Sequence, residues 1–315
     1  MQATREGLVI RALSGFFDVE TEGGELYRCR LRGRLLEEAS ASDVAAIGDR
    51  VCFEAVDVNE GAILSVAERH SVLARAARTS GNRGAGEATR EQVIVANADQ
   101  ALFVFAAASP EPGLNLLDRF LVAAESAGIE TICIVVNKLD LVEPTQARAL
   151  FRDYEQMGYP LLLTSALDGR GVGELRQALA GRLSVFTGPS GVGKTSLLNV
   201  LQPGLGRQVK AISRRREEGI HTTRDSELVR LGPDTWLADT PGIRSLNLWD
   251  IEPEELDAWY VDIASRVADC RFGNCAHRDE PGCAVRQAVA EGAVSDRRWR
   301  SFRQLYDELE AQYAL

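Results

Sequence analysis

The features that would place this 315-residue chain in a membrane or outside the cell are missing. No apolar run approaches the ~18 residues of a membrane-spanning helix, and the first residues form no apolar signal segment, so a cytoplasmic protein without membrane contact is expected. Histidine is scarce, at three, and the six cysteines do not form an evenly spread framework. Cys29, Cys52 and Cys133 sit singly in apolar, strand-like runs, which fits a reducing compartment better than a disulfide scaffold. Nor is there a surplus of positive charge. A formal net charge of −10 disfavours indiscriminate nucleic-acid binding and leaves any RNA contact to local arginine clusters. The length allows two or three domains.

What the chain does have is an order. Asn137-Lys138-Leu139-Asp140 precedes the loop Gly188-Pro189-Ser190-Gly191-Val192-Gly193-Lys194-Thr195, and Asp239-Thr240-Pro241-Gly242 follows both. An ordinary GTPase has the phosphate loop first, the Asp-x-x-Gly element second and the base-reading Asn-Lys-x-Asp element last. The rotated order points to a circularly permuted α/β GTPase domain of the P-loop type.

The loop satisfies G-x-x-x-x-G-K-[ST] at each fixed position. Its glycines let the backbone curl so that N–H groups face phosphates. Lys194 would reach the β- and γ-phosphates, and the Thr195 hydroxyl would hold Mg²⁺. A strand-like run, Leu183–Thr187, leads in, and a helical run from Thr195-Ser196 to Leu201 leads out with its N-terminus toward the anion. The bland alternative is a Gly-rich turn that happens to precede a lysine, and this flanking context argues against it. Asp239 ends the apolar run Thr235–Ala238 and suits the Mg²⁺ shell. Gly242 can offer its N–H to the γ-phosphate because no Cβ blocks the approach.

Asn137–Asp140 follows the strand-like run Thr131–Val136. Guanine presents N1–H and N2–H₂ donors that one Asp140 carboxylate can accept together. Adenine would leave that carboxylate unpaired, a mismatch that discriminates by roughly 10⁴ in a buried site. Ser165-Ala166, after Leu161–Leu163, would supply a backbone N–H to guanine O6. Between phosphate loop and Asp239 lie His221, Thr222 and Thr223. A threonine there would close over Mg²⁺ and the γ-phosphate as a switch, and the sequence does not choose between Thr222 and Thr223. Ile243 stands after Gly242, where many GTPases carry a water-orienting glutamine, so slow intrinsic hydrolysis is expected. His221 is the candidate to place the water, its alternative being a switch histidine with no chemical role.

Three blocks follow from the patterning. Residues 1–70 show five or so short β-rich runs separated by Gly or Asp turns, which suits a small barrel of the oligonucleotide-binding type. Arg28, Arg30, Arg32 and Arg34 alternate there, with Phe16, Phe17 and Tyr27 nearby, forming either an RNA surface or a solvated charged face. Residues 79–90 lack apolar periodicity and read as a flexible linker or mobile loop between the barrel and the next block. Residues 71–246 alternate strand-like runs with helical ones such as Leu114–Ala127, which predicts a mostly parallel sheet with helices on both faces.

Residues 247–315 are expected to be a small α-helical zinc domain. Cys270, Cys275, His277 and Cys283 cluster there, the ligand set of a closed tetrahedral zinc site, with a disulfide as the alternative. Trp299, Phe302, Leu305, Tyr306 and Leu309 recur at helical spacing as a packing stripe. Arg297, Arg298, Arg300 and Arg303 flank it and could touch phosphate.

Together these marks resemble one family over essentially the whole chain, the ribosome small-subunit-dependent GTPase A group of bacterial circularly permuted GTPases. The resemblance implies guanine nucleotide contacts (GTP and GDP) at Asn137–Asp140 and Gly188–Ser196, and one structural zinc on the four named ligands. It implies GTP hydrolysis late in small-subunit maturation, with stimulation by the small ribosomal subunit; a monomer that meets the subunit and its rRNA is expected. The chain departs from many members at Ile220, before the switch histidine, where they carry Arg or Gln. The alternatives are a GTP-dependent regulator of a non-ribosomal complex and a zinc-dependent nucleic-acid module with a vestigial nucleotide fold. The completeness of the nucleotide elements argues against the last.

Overall fold

The protein is described here by a computed structural model covering residues 4–33, 35, 43–76, 91–206, 226–238 and 251–313. In the N-terminal block, polar and apolar residues alternate, so each strand buries one face at the two-residue period. Strands β1 (Thr4–Leu13), β2 (Phe16–Glu20), β3 (Leu26–Leu31), β4 (Arg50–Asp57) and β5 (Glu60–Val66) pair in the order β1-β2-β3-β5-β4. Pairing of β4 back onto β1 closes the barrel, as expected. Val9, Phe17, Val19, Tyr27, Cys29, Val51, Phe53 and Ile63 fill it. The same alternation corrects one expectation. Phe17 and Tyr27 point inward, so of the three aromatics only Phe16 accompanies the arginines on the outside.

Next, β6 (Val72–Ala76) and β7 (Glu91–Ala96) form an antiparallel hairpin of their own. Residues 79–90, read from sequence as a flexible linker or mobile loop between the barrel and the next block, lie outside the described residues. The strands that flank them, β6 and β7, pair with each other.

Near-continuous apolar runs demand cover on both faces, which a parallel sheet with flanking helices provides. Strands β8 (Gln100–Ala106), β9 (Thr131–Asn137), β10 (Leu161–Leu163), β11 (Leu183–Thr187), β12 (Ser226–Gly232) and β13 (Thr235–Ala238) lie in the order β10-β9-β8-β11-β13-β12. All are parallel except β12. The helices are α1 (Leu114–Ser126), α2 (Pro144–Leu150), α3 (Arg152–Gln156), α4 (Val172–Leu179) and α5 (Lys194–Leu201). Phe103, Phe105, Ile134 and Val136 pack on one face, Leu102, Val104, Cys133 and Val135 on the other. The chain enters this sheet near its middle at β8, runs to the β10 edge, and only then crosses back to build β11 and the other half. That is the permutation seen in space: β11, which carries the phosphate loop, lies between β8 from the first half and β13 from the second.

Strand β12 also pairs antiparallel with β1, Arg11 opposite Glu227 and Ala12 opposite Ser226, so barrel and α/β block share one 11-stranded sheet. Ala96 N–H donates to the Ile47 carbonyl (2.9 Å) and Asn97 Nδ2 to the Gly48 carbonyl (3.1 Å), adding a second seam.

The last block comprises a 3₁₀ helix (Pro253–Trp259), α6 (Val261–Val267), α7 (Ala284–Ala290) and α8 (Asp296–Tyr313). The predicted stripe on α8 is a packing face: Phe302, Leu305, Tyr306 and Leu309 are buried in the same apolar cluster as Phe120 of α1, and Trp299 packs against it. Arg297 and Arg298 do not face phosphate, contrary to the expectation. Both turn inward to Asp118 of α1, a fully buried carboxylate that needs counter-charge. Arg300 instead pairs on the surface with Asp296 (2.8 Å), and the Arg303 guanidinium lies over the Trp299 ring. No described helix is long and apolar enough to cross a membrane.

Candidate functional site

The phosphate-loop sequence, the base-reading element and Ser165-Ala166 follow directly on β11, β9 and β10, at the carboxyl edge of the parallel sheet where such folds bind ligands. Strand β11 is buried along its length, and Lys194 opens α5 six residues after Gly188. Close approach explains two of the glycines. A Cβ on Gly188 would lie 2.0 Å from the Val104 carbonyl oxygen, and one on Gly193, whose φ is +93°, would lie 2.4 Å from Asn137 Nδ2. Lys194 Nζ donates to the carbonyls of Gly188 and Pro189 at 2.6 Å each, which holds the ammonium inside the loop. Val192 is buried beneath, while Ser190, Gly191, Thr195 and Ser196 are exposed on the outer side.

Asn137 ties the pieces together. It is 1% exposed, its Nδ2 donates to the Val192 carbonyl (2.8 Å), and its Oδ1 accepts from Ala166 N–H (3.2 Å) and the Thr164 hydroxyl (3.4 Å). One side chain thus joins the base element, the phosphate loop and the Ser165-Ala166 turn. Asp140 accepts from the Ser165 hydroxyl at 2.6 Å, and Ser165 Oγ in turn accepts Leu167 N–H (3.2 Å) and Asp168 N–H (3.3 Å). Leu139 is buried, which turns Asp140 outward. Lys138 adopts a left-handed backbone (φ 63°) and its Nζ donates to the Ser109 carbonyl. Ser165 N–H donates to the Arg170 carbonyl at 2.9 Å, which leaves the longer-bonded Ala166 N–H as the better placed of the two for a carbonyl ligand. Asp239, Gly242, His221, Thr222, Thr223 and Ile243 lie outside the described residues.

The sulfur and nitrogen atoms of Cys270, Cys275, His277 and Cys283 lie within 4.8 Å of one another, and the cysteines are unbridged. His277 Nδ1 is 3.4 Å from Cys283 Sγ and 3.7 Å from Cys270 Sγ. Tetrahedral zinc with its usual bond lengths sets such N···S edges at about 3.5 Å, so the cluster fits a zinc ion in size and ligand type. His277 Nε2 is 3.1 Å from Asp257 Oδ2. A carboxylate can only accept, so Nε2 carries the hydrogen and the Nδ1 lone pair faces the thiols. The sequence reading missed Asp257. It lies thirteen positions before Cys270 on the 3₁₀ helix, with no motif spacing to mark it. By contrast, burial pushes the lone Cys29 and Cys133 thiols up to about 12, which makes them inert packing groups.

Fold and site together define a P-loop GTPase whose α/β unit is circularly permuted. The chain belongs to the RsgA GTPase family: the family's GTPase model matches residues 66–249, and the RsgA N-terminal domain model matches residues 6–63. Among curated relatives, the small ribosomal subunit biogenesis GTPase RsgA of Gemmatimonas aurantiaca is 42% identical over 98% of this chain and 99% of its own length. Its namesake in Moorella thermoacetica is 41% identical over 98% of both chains. Two solved structures align over 98% of this chain at 32% identity. They are YjeQ from Thermotoga maritima (99% of that chain, TM-score 0.77) and YloQ, described as a circularly permuted GTPase (96%, TM-score 0.74).

Proposed function

We propose that this protein binds GTP at the Asn137-centred site, hydrolyses it to GDP and phosphate, and does so in the cytoplasm as a monomer in the late maturation of the small ribosomal subunit. The observation that carries the reading is the triple bond set of Asn137, which holds three nucleotide elements from distant parts of the chain in one arrangement. The names of its full-length relatives supply the substrate class and the partner.

In this reading Asp140 accepts guanine N1–H and N2–H₂, Ala166 N–H meets O6, and the backbone from Gly188 to Ser196 lines the phosphates. Lys194 leaves its carbonyl partners for the β- and γ-phosphates. Thr195 in the first turn of α5, with Asp239, would hold Mg²⁺, which when bound neutralises charge across the β- and γ-oxygens. Gly242 and one of Thr222 and Thr223 close on the γ-phosphate, and His221 places the water. With Ile243 in place of a glutamine, hydrolysis stays slow until a partner completes the site. Adding purified small subunits therefore raises GTP turnover by orders of magnitude, and large subunits do not. Turnover indifferent to small subunits at low salt moves the protein to the regulator of a non-ribosomal complex.

Barrel and tail would hold the GTPase block against rRNA. On β3, Arg28 and Arg30 are exposed on one face and both stack on the Phe16 ring, at 4.8 and 4.3 Å. That is an arginine–aromatic surface of the kind that meets bases and phosphates. Arg32 pairs with Glu54 (3.7 Å) and Arg34 lies outside the described residues. Reversing charge at Arg28 and Arg30 together raises the subunit concentration needed for half-maximal stimulation. An unchanged titration removes this face from the interface.

Cys270, Cys275, His277 and Cys283 would hold one zinc ion, structural because four protein ligands leave no position for water. Elemental analysis finds about one zinc per chain. Cys275→Ser loses it and speeds hydrogen exchange first in residues 251–313. Metal-free protein with a Cys270–Cys283 disulfide refutes the assignment.

A further inference from the structure

The family reading leaves without a role two of the most heavily buried charges among the described residues, Asp118 and Arg298. Asp118, on the second turn of α1, is 0% exposed. Its Oδ1 accepts from Arg298 Nη1 and the Tyr154 hydroxyl at 2.6 Å each, and its Oδ2 accepts from Arg297 Nη1 at 2.8 Å. Arg298, 1% exposed, also binds Asp262 of α6 at 2.6 Å and stacks on Tyr260. Two arginines and two carboxylates thus join α1 of the GTPase block to α8 and α6 of the C-terminal block. A buried pair of this kind is weak evidence for stability alone, since an apolar interface would serve as well. Its position suggests another use.

Helix α1 is the continuation of a loop, residues 107–113, that borders the nucleotide site at three points. Ala107 N–H donates to the Asn137 carbonyl (2.7 Å), the Ser109 carbonyl accepts Lys138 Nζ, and Pro110 Cδ stands 3.8 Å from where a Gly191 Cβ would lie. The loop's last residue, Gly113, accepts the first N–H groups of α1, from Leu116 and Leu117 (3.0 and 3.1 Å). Tyr154, bonded to Asp118, also reaches the Leu114 carbonyl at 3.3 Å, so the clamp grips the junction of loop and helix. One residue further along the same end of α8, Trp299 Nε1 donates to the His277 carbonyl at 3.0 Å, which fastens that end to the Cys270, Cys275, His277 and Cys283 cluster.

We propose that Asp118 is a positioning residue for the guanine nucleotide: by clamping α8 through Arg297 and Arg298 it fixes α1, and with it the 107–113 loop that holds Lys138 and borders Gly191. The inference rests on the reading of Asn137–Asp140 and Gly188–Ser196 as the nucleotide site. Its consequence is linkage. Formation of the Asp118 clamp and retention of nucleotide strengthen each other, by the same factor in both directions.

The experiment measures release of a fluorescent N-methylanthraniloyl GDP from the full-length protein, beside its thermal melting point. Asp118→Asn keeps the shape but removes the charge that both arginines answer. It speeds release by about tenfold or more. Leu309→Ala, which loosens the apolar packing of α8 without touching a polar group of the clamp, lowers the melting point yet changes release by no more than about twofold. Arg297→Met repeats the test should Asp118→Asn fail to fold. In a Lys138→Met background the Asp118 effect shrinks, because the loop no longer has its grip on the base element. Equal release rates in Asp118→Asn and Leu309→Ala would reduce the clamp to a structural brace and overturn the proposal. A wild-type protein that binds no guanine nucleotide at all would instead overturn the site reading beneath it.

Discussion

Asp140→Asn exchanges GTP for xanthosine triphosphate as the preferred nucleotide. The carboxylate can accept two parallel donors, guanine N1–H and N2–H₂. An asparagine offers one acceptor and one donor, which leaves the guanine amine facing an amide N–H but suits xanthine, whose C2 carries a carbonyl. Loss of one half of a buried two-bond recognition lowers GTP affinity on the order of 10³-fold, and xanthine nucleotide gains what guanine loses. The fold tolerates the change because the hydrogen-bond partner of Asp140 among the described residues is the Ser165 hydroxyl, 2.6 Å away, and the amide oxygen of the substituted side chain can still accept from it. Competition of XTP and GTP for the same protein reads the outcome. Unchanged GTP preference would mean that Asn137–Asp140 does not read the base.

Lys194→Ala abolishes most turnover. The ammonium is the one positive charge built into the phosphate loop from Gly188 to Thr195, and it is held ready by two carbonyls 2.6 Å away rather than drifting in solvent. Charge that develops on the transferring phosphoryl group then loses a preorganised partner, at a cost of about 3–4 kcal/mol, or 10²–10³-fold in the rate. Nucleotide binding weakens as well, because the two carbonyls lose the donor that shapes the loop. Single-turnover hydrolysis at saturating GTP separates the two effects. A parental rate would end the catalytic reading of the loop. Thr195→Ala, removing a hydroxyl exposed in the first turn of α5, has a smaller effect on binding than on Mg²⁺-dependent turnover.

The parts of this site that were legible in the sequence share one property: their chemistry is local. Gly188 to Thr195 is a backbone shape written in glycines, preceded by a strand and followed by a helix within a few residues. The Cys270, Cys275, His277 and Cys283 set is legible because three thiols and an imidazole crowded into a short span have few other uses. The barrel was legible through period-two alternation, and the α8 stripe through its helical spacing. The rotated motif order even fixed the permuted connectivity in advance, since spatial strand order and chain order must differ by that rotation.

What failed to show was whatever depends on a partner far along the chain. The sequence reading put Arg297 and Arg298 on a phosphate-facing surface because an arginine's default is solvent. Only the packing of α8 on α1 brings Asp118 within 2.6–2.8 Å of both guanidinium groups and makes burial of the Arg298 charge tolerable. The pairing of β6 with β7, separated by fourteen residues in the chain, likewise had no local signal in the sequence. Phe17 and Tyr27 were read as neighbours of the arginine face through proximity in sequence, whereas the pleat sends them into the barrel. The sequence by itself determined the family, the motif order and which chemistries to expect of each motif, since turn geometry, ligand type and hydrophobic period act over a few residues. Tertiary structure decided which charges are spent internally, what orients His277 through Asp257, and how the C-terminal block reaches the nucleotide loop, because burial and counter-charge are properties of packed neighbours rather than of sequence spacing.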